Sequence, residues 1–115
     1  MAKKKPKRPA KRANLLDVVR EKIAADEYRD TRHTADERRP QRDISLEEVL
    51  QVLDAGHHEP AKDRYEAGYR SWSYAIEGKT VDGRELRIVV AFDEADDSLV
   101  FVTTRDLDEE RAERS

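Results

Sequence analysis

Residues 44–56 read ISLEEVLQVLDAG, and this stretch decides the helical part of the fold. Ser45 is followed three residues later by Glu48, a capping box that marks a helix N-terminus because each side chain satisfies a backbone N–H of the other residue. The apolar residues of the helical stripe are Leu46, Val49, Leu50 and Leu53. Gly56 follows where such a helix would end. The sequence therefore predicts a helix over about 46–55.

After Gly56 the spacing of apolar residues changes from 3.6 to 2, which is the period of a β-strand. Residues 58–66 contain Pro60 and predict a weak or edge strand at best. Alternation predicts strands over about 69–77 and 84–93 with a turn at Asp82-Gly83 between them, and the apolar residues 98–104 predict a covered strand. The residues expected to face the core are Trp72, Tyr74, Ile76, Leu86, Ile88, Val90 and Phe92.

Two side chains make this assignment of strand faces testable. Trp72 lies on the inward face and is expected to be largely buried between sheet and helices. Arg87 alternates with Leu86 and Ile88, so it should point away from the core into water.

Towards the N-terminus, Asn14 stands before a further apolar stripe and predicts a helix over about 14–26, followed by a short extended piece within 28–34. Helices followed by a β-meander indicate an α+β fold, with N-terminal helices packed on one face of a three- to four-stranded antiparallel sheet. We expect a disordered basic arm over 1–13, a single α+β domain over 14–106 and a charged C-terminal tail over 107–115 that frays into solvent.

The composition excludes several classes of protein. Of the 115 residues 43% are charged and none is cysteine, so a disulfide framework, a thiol nucleophile and any cysteine-based zinc site are ruled out. The absence of cysteine fits a cytoplasmic, reducing compartment. No apolar run approaches the roughly 20 residues of a membrane span, so we expect no membrane association.

Positive charge is concentrated in the basic arm, whose cationic residues are Lys3, Lys4, Lys5, Lys7, Arg8, Lys11 and Arg12. Residues 14–115 hold 16 basic and 26 acidic residues, a net charge of −10. Such an arm could bind nucleic acid and gain affinity from counterion release. It could equally be a solubilising tail, or fold back onto its own acidic body.

Familiar catalytic and metal-binding motifs are missing. The sequence contains no Gly-rich phosphate loop, no G-x-S-x-G and no H-E-x-x-H. His57, His58 and Glu59 offer metal ligands, but adjacent residues on a strand point to opposite faces. We therefore expect neither a metal site nor a cofactor.

Arginines carry the strongest chemical signal, because the guanidinium group offers five donors in a planar fork that fits a phosphate. Metal-free RNA cleavage needs a base, an acid and cations around the phosphorane. The candidates for this chemistry are His33, Arg38, Arg42, Tyr69, Arg87 and Arg105. The competing interpretation is that the arginines pair with the many acids and cover apolar surface with their stems.

The order of elements and several residues resemble a family of small bacterial domains of unknown function related in fold to the RelE and MqsR toxins. Members typically read His-Ala-x-x-Arg, then Arg-x-Ile-Ser before a helix ending in Gly, and a β-meander closing in apolar-apolar-Thr-x-Tyr. The matching residues are Ala35, Arg38, Arg42, Ile44, Ser45, Val49, Leu53, Gly56 and Phe101-Val102-Thr103. Thr34 stands where the family has His, with His33 one place earlier, and Arg105 stands where Tyr is usual. The resemblance covers about residues 30–105 and implies a RelE-like fold.

Two functions follow from these observations. The first is a toxin-like, metal-independent ribonuclease of a toxin–antitoxin type system, with RNA as substrate and an antitoxin-like partner. In it Arg38, Arg42 and Arg87 clamp phosphate, His33 is the acid or base, and Tyr69 and Arg105 assist. The second is a non-catalytic binding module, with an acidic body for a basic protein partner and a basic arm for nucleic acid. A remnant selected only for folding is the third interpretation.

Overall fold

The computed structural model describes residues 9–31, 44–66 and 71–114, and in these residues three helices surround a mixed β-sheet. The helices are α1 (Leu15–Ala24), α2 (Leu46–Ala55) and α3 (Leu107–Arg114). The strands are β1 (Tyr28–Asp30), β2 (His57–His58), β3 (Arg64–Glu66), β4 (Ser71–Lys79), β5 (Glu85–Phe92) and β6 (Leu99–Asp106), with a 3₁₀ turn at Pro60–Lys62. The predicted α+β class is confirmed.

Helix α2 begins at the predicted capping box. The Ser45 hydroxyl accepts a hydrogen bond from the Glu48 N–H at 3.1 Å, and the Glu48 carboxylate accepts one from the Ser45 N–H at 2.9 Å. At the other end Arg20 of α1 donates to the carbonyls of Leu53 and Gly56, both at 3.1 Å. A cation there suits the negative end of the helix dipole, and it ties α1 to α2.

Gly56 is required by a close approach and not by its backbone dihedrals. Its φ of −83° is accessible to any residue, but a Cβ at Gly56 would lie 2.5 Å from the carbonyl oxygen of Glu77. A Cβ on Gly78 would lie 2.9 Å from the Cα of Gly56. The end of α2 therefore packs backbone against backbone on β4.

Strands β4, β5 and β6 form the predicted antiparallel meander. The turn between β4 and β5 contains Gly83 with φ at +87°, a region that favours glycine. Beyond the meander the prediction of a three- to four-stranded antiparallel sheet is wrong, because β1 runs parallel to β6 and both β2 and β3 pair with β4. The sequence predicts a short extended piece within 28–34 and a weak or edge strand within 58–66, and β1, β2 and β3 lie in or beside these segments. Strands of two or three residues are too short for alternation to show how they pair.

The hydrophobic core lies between one face of the meander and helices α1 and α2. Its fully buried side chains are Val19, Val49, Val52, Leu53, Ile76, Leu86, Ile88, Val90, Leu99 and Phe101. Trp72 packs against this cluster but is only half-buried, so the expectation of a largely buried Trp72 is wrong in degree. It lies near the start of β4, where Pro9 and Lys11 contact it instead of a helix.

Helix α3 lies on the opposite face of the sheet, against β5 and β6. The sequence predicts that this segment frays into solvent or forms a helical turn or two, because LDEERAER is nearly all charge. Leu107 is buried at its start, and ion pairs join Glu110 and Arg111 to the sheet. No helix in the described ranges combines the length and apolar character needed to cross a membrane.

Candidate functional site

The sheet face that carries α3 presents a row of polar side chains across four strands. Antiparallel pairing sets His57 of β2 opposite Glu77 of β4, Glu77 opposite Arg87 of β5, and Arg87 opposite Arg105 of β6. Directly paired residues project to the same side of a sheet. We call His57, Glu77, Arg87 and Arg105 the polar row.

The two arginines of the polar row converge on one carboxylate of α3. Arg87 donates from both terminal nitrogens to the two oxygens of Glu110, at 3.0 and 3.1 Å. Arg105 donates its Nε–H to the same carboxylate at 3.1 Å. On its other side Arg87 donates its Nε–H to Glu77 at 2.8 Å. The arrangement is therefore a bidentate anion site built from adjacent strands.

Arg87 points away from the core as predicted, but the prediction that it lies in water is wrong. Only 13% of its side chain is exposed, against 41% for Arg105. Helix α3 lies over Arg87. Glu110 of α3 and Glu77 of β4 offset the cost of removing its guanidinium from water. Burial by itself lowers the pKa of Arg87, and the hydrogen bonds to Glu110 and Glu77 outweigh it and raise that pKa.

Two carboxylates of α3 and its start, Glu110 and Asp106, have pKa values below their ordinary ones. The hydrogen bond from Arg87 lowers the pKa of Glu110 below its usual value, and Arg105 adds to the shift. Asp106 pairs with Leu86 and so lies on the core side of the sheet, at the start of α3. Burial raises its pKa, but hydrogen bonds from Arg84 and from the backbone N–H of Glu109 and Asp108 lower it overall. The pair of Arg87 and Glu110 is thus held in its ionised form by mutual hydrogen bonding.

His57 places an imidazole at the open end of the polar row, with 67% of its side chain exposed. Its Nε2 lies 3.8 Å from a carboxylate oxygen of Glu59. One ligand atom from each of His57, Glu59 and Glu77 lies within 4.8 Å of the other two. A nitrogen and two carboxylate oxygens form a donor set that suits zinc or manganese.

His58 faces the other way, as strand alternation requires. Its Nε2 lies 2.8 Å from the carboxylate of Asp63, whose side chain is fully buried. Asp63 also accepts the backbone N–H of Ala75 at 2.9 Å and pairs with the ammonium of Lys11 at 3.0 Å. The expectation that one ion would not reach both imidazoles agrees with this geometry.

The described part of the basic arm lies on the acidic body. Lys11 pairs with Asp63, and Arg12 pairs with Asp97 at 2.7 Å. Of the interpretations given for the arm, folding back onto the body describes residues 9–12. The remaining cationic residues of the arm lie outside the described residues and are Lys3, Lys4, Lys5, Lys7 and Arg8.

Of the six predicted catalytic residues the structure brings together Arg87 and Arg105. The other four lie outside the described ranges and are His33, Arg38, Arg42 and Tyr69. Sequence reasoning missed His57, Glu77 and Glu110 as their neighbours. The signal for Glu77 was its position on the outward face of a predicted strand. His57 was considered as a metal ligand and not as a neighbour of the arginines, and no local signal pointed to Glu110, because strand register and helix docking brought these residues together.

Comparison with known protein families gives one match. The family model described as Domain of unknown function (DUF4258) matches residues 31–105, which include the whole polar row. No curated protein and no solved structure shows significant similarity to this chain. Because the match spans more than half of the chain, the protein belongs to the DUF4258 family of domains of unknown function.

Proposed function

We propose that the protein is a toxin-like, metal-independent ribonuclease with a RelE-like fold that acts on cytoplasmic RNA in a toxin–antitoxin type system. The polar row carries the proposal, since it combines an imidazole, a carboxylate and two guanidinium groups on one face. The resemblance in the sequence supports the choice of RNA. Fold kinship by itself does not fix a function, so the chemistry of the row is the main support.

The arginine pair is the proposed phosphate clamp. A phosphodiester offers two non-bridging oxygens in much the same spacing as a carboxylate, and guanidinium forks bind both groups bidentately. Arg87 and Arg105 already hold one carboxylate in this way. In the transition state the same donors would face the charge that develops on the phosphorane oxygens.

His57 is the proposed general base. It would take the proton of a ribose 2′-hydroxyl, whose oxygen then bonds to phosphorus while the bond to the 5′-oxygen breaks. The products are a 2′,3′-cyclic phosphate and a 5′-hydroxyl end. The leaving oxygen takes its proton from an acid, and His33 is the proposed acid. Glu77 orients this site by holding Arg87 at 2.8 Å.

RNA must displace Glu110 to reach the clamp, because this carboxylate occupies the arginine pair. Replacing Glu110 with Gln removes the competing charge while keeping the shape of the side chain. We expect E110Q to lower the KM for RNA severalfold. Glu109→Gln is the matched control, since Glu109 is the exposed neighbour on the same helix and should leave the KM unchanged.

The decisive experiment compares RNA cleavage by the full chain and by His57→Gln, with His58→Gln as control on the opposite face. General base catalysis contributes about 10²–10⁴-fold, so H57Q should lose at least about 100-fold in kcat while H58Q keeps most of it. Cleavage should persist in EDTA, whereas loss of activity in EDTA would contradict the metal-independent mechanism and make His57, Glu59 and Glu77 the candidate metal ligands. Absence of cleavage across several RNAs and salt concentrations, or equal rates for H57Q and the parent chain, would overturn the proposal.

A further inference from the structure

A groove at the end of the sheet holds residues 9–12 of the chain. Its walls come from the turn after β2, from β4, and from the end of β5 with the turn that follows. The groove residues are Asp63, Trp72, Tyr74, Phe92 and Asp97, and we call them the acidic–aromatic groove. They combine three aromatic rings with two carboxylates on a body of net charge −10.

The backbone of the docked segment is recognised at two points. The Trp72 indole N–H donates to the carbonyl of Pro9 at 2.8 Å. The backbone N–H of Arg12 donates to the Tyr74 hydroxyl at 2.9 Å. These two contacts lie three residues apart on the segment, and both are to backbone atoms, so they do not depend on its side chains.

The basic side chains of the segment are recognised by both charge and aromatic surface. The Lys11 ammonium lies 3.0 Å from the fully buried carboxylate of Asp63 and 4.7 Å from the centre of the Trp72 ring. The Arg12 guanidinium contacts Asp97 at 2.7 Å and lies 3.9 Å from the centre of the Phe92 ring. Each cation therefore has one carboxylate and one aromatic face, a pairing that strengthens as water is excluded.

The groove extends beyond the residues that occupy it. A cleft of about 310 Å³ remains alongside Pro9, Ala10 and Arg12, and its further lining includes Ser71 and Glu94. The segment has no helical or strand pairing of its own and joins α1 through Asn14, whose φ is +53° and whose side chain does not cap the helix. The observed contacts of the segment, rather than a continuous secondary structure, set its position.

From these contacts we propose that the acidic–aromatic groove is a binding site for an extended basic peptide of a partner protein, with a Lys-Arg pair following a proline. The chain's own residues 9–12 are the ligand in cis and compete with the partner. The inference is independent of the proposed ribonuclease, whose site lies on the opposite face of the sheet. The proposal takes up the binding-module interpretation and specifies which residues bind the basic partner.

The test uses the full-length chain with Lys11→Ala and Arg12→Ala, which weakens the ligand in cis. The probe is a synthetic peptide with the sequence of residues 5–13, KPKRPAKRA. Trp72 is the only tryptophan, so its fluorescence reports occupancy of the groove without a label. An intact melting transition for each variant shows that it is folded.

We expect saturable binding to the double variant and at least about tenfold weaker binding to the parent chain, because a tethered ligand competes at millimolar effective concentration. Adding Asp97→Asn to the double variant should weaken binding about tenfold. Asp54→Asn, an exposed charge on α2, is the matched control and should not. A peptide with Gln in place of both Lys and Arg of its last pair should fail to saturate.

Three results would overturn the proposal. One is absence of a saturable fluorescence change in the double variant, which would make residues 9–12 a permanent strap. Another is equal weakening by D97N and D54N, which would reduce the binding to general attraction by an acidic body. The third is concentration-dependent dimerisation of the parent chain that K11A/R12A abolishes, which would make a second copy of the chain the occupant.

Discussion

The two faces of the sheet use alternate residues of the same three strands, yet they are stabilised by different forces. The core face buries apolar side chains against α1 and α2, and apolar burial is non-directional and scales with area. The polar face binds α3 through carboxylates and arginines, whose contribution depends on geometry and on every partner being present. The stability of the core face therefore depends on the total apolar area buried, whereas that of the polar face depends on individual ion pairs.

The largest effect is expected on the core face. Phe101 is fully buried in the centre of the core, so Phe101→Ala should lower the free energy of unfolding by about 3–5 kcal/mol. Denaturant unfolding measures this loss. Val81→Ala is the control, because Val81 is 83% exposed and its change should stay within about 0.5 kcal/mol. Similar losses for the two variants would show that Phe101 is not buried in the folded protein.

A smaller loss is expected from the centre of the polar face. Arg87→Ala leaves Glu77 and Glu110 as partly buried carboxylates without this partner, which should cost about 1–3 kcal/mol. Arg111→Ala is the matched control, since Arg111 forms ion pairs on the exposed rim of the same face and such pairs contribute about 0–1 kcal/mol. If R87A unfolds at the same denaturant concentration as R111A, α3 does not cover Arg87 in solution.

Acidification should destabilise the polar face before the core face. The lowered pKa of Glu110 means that its ionised form stabilises the folded chain above the ordinary glutamate pKa, and that this contribution is lost as pH falls through the lowered value. Below about pH 4 the amides of α3 should lose hydrogen-exchange protection before those of α2. Glu110→Gln should remove most of this pH dependence in α3. Loss of protection in α2 and α3 at the same pH would contradict the prediction.

The smallest effect is expected from salt. Raising the ionic strength from about 0.05 to 1 M shortens the Debye length to about 3 Å and should weaken the exposed pairs of α3, such as Arg105 with Glu113 at 2.9 Å. Hydrogen exchange of α3 should speed up severalfold while that of β5 stays constant. Equal responses in α3 and β5 would mean that the helix and the meander unfold as one unit.

The core face was predictable because its signals are local. The capping box of Ser45 and Glu48, the helical stripe of α2 and the alternation in β4 and β5 each lie within a few consecutive residues. The turn at Asp82-Gly83 was predicted from the Asp-Gly pair itself, and the φ of +87° at Gly83 is one that glycine adopts readily. Each of these features indicates a backbone conformation that the neighbouring residues also favour.

The polar face and the acidic–aromatic groove were not predictable in this way. Glu77, Arg87 and Glu110 belong to three separate elements, and charged residues are too common in this chain for any one pairing to stand out. The parallel contact of β1 with β6 joins residues 28–30 to 99–101, and a three-residue strand carries no periodicity. His57 and His58 have different neighbours because adjacent residues of a strand point to opposite faces.

By itself the sequence determined the α+β class, the helix over residues 46–55, the three-strand meander and the direction in which Arg87 points. These follow from backbone propensity and from the period of apolar residues, which are properties of short segments. The tertiary structure alone decided the mixed sheet, the docking of α3 over Arg87 and the seating of residues 9–12 beside Trp72. Those depend on pairing between distant charges and hydrogen-bonding groups, and a charged residue in a sequence does not specify its partner.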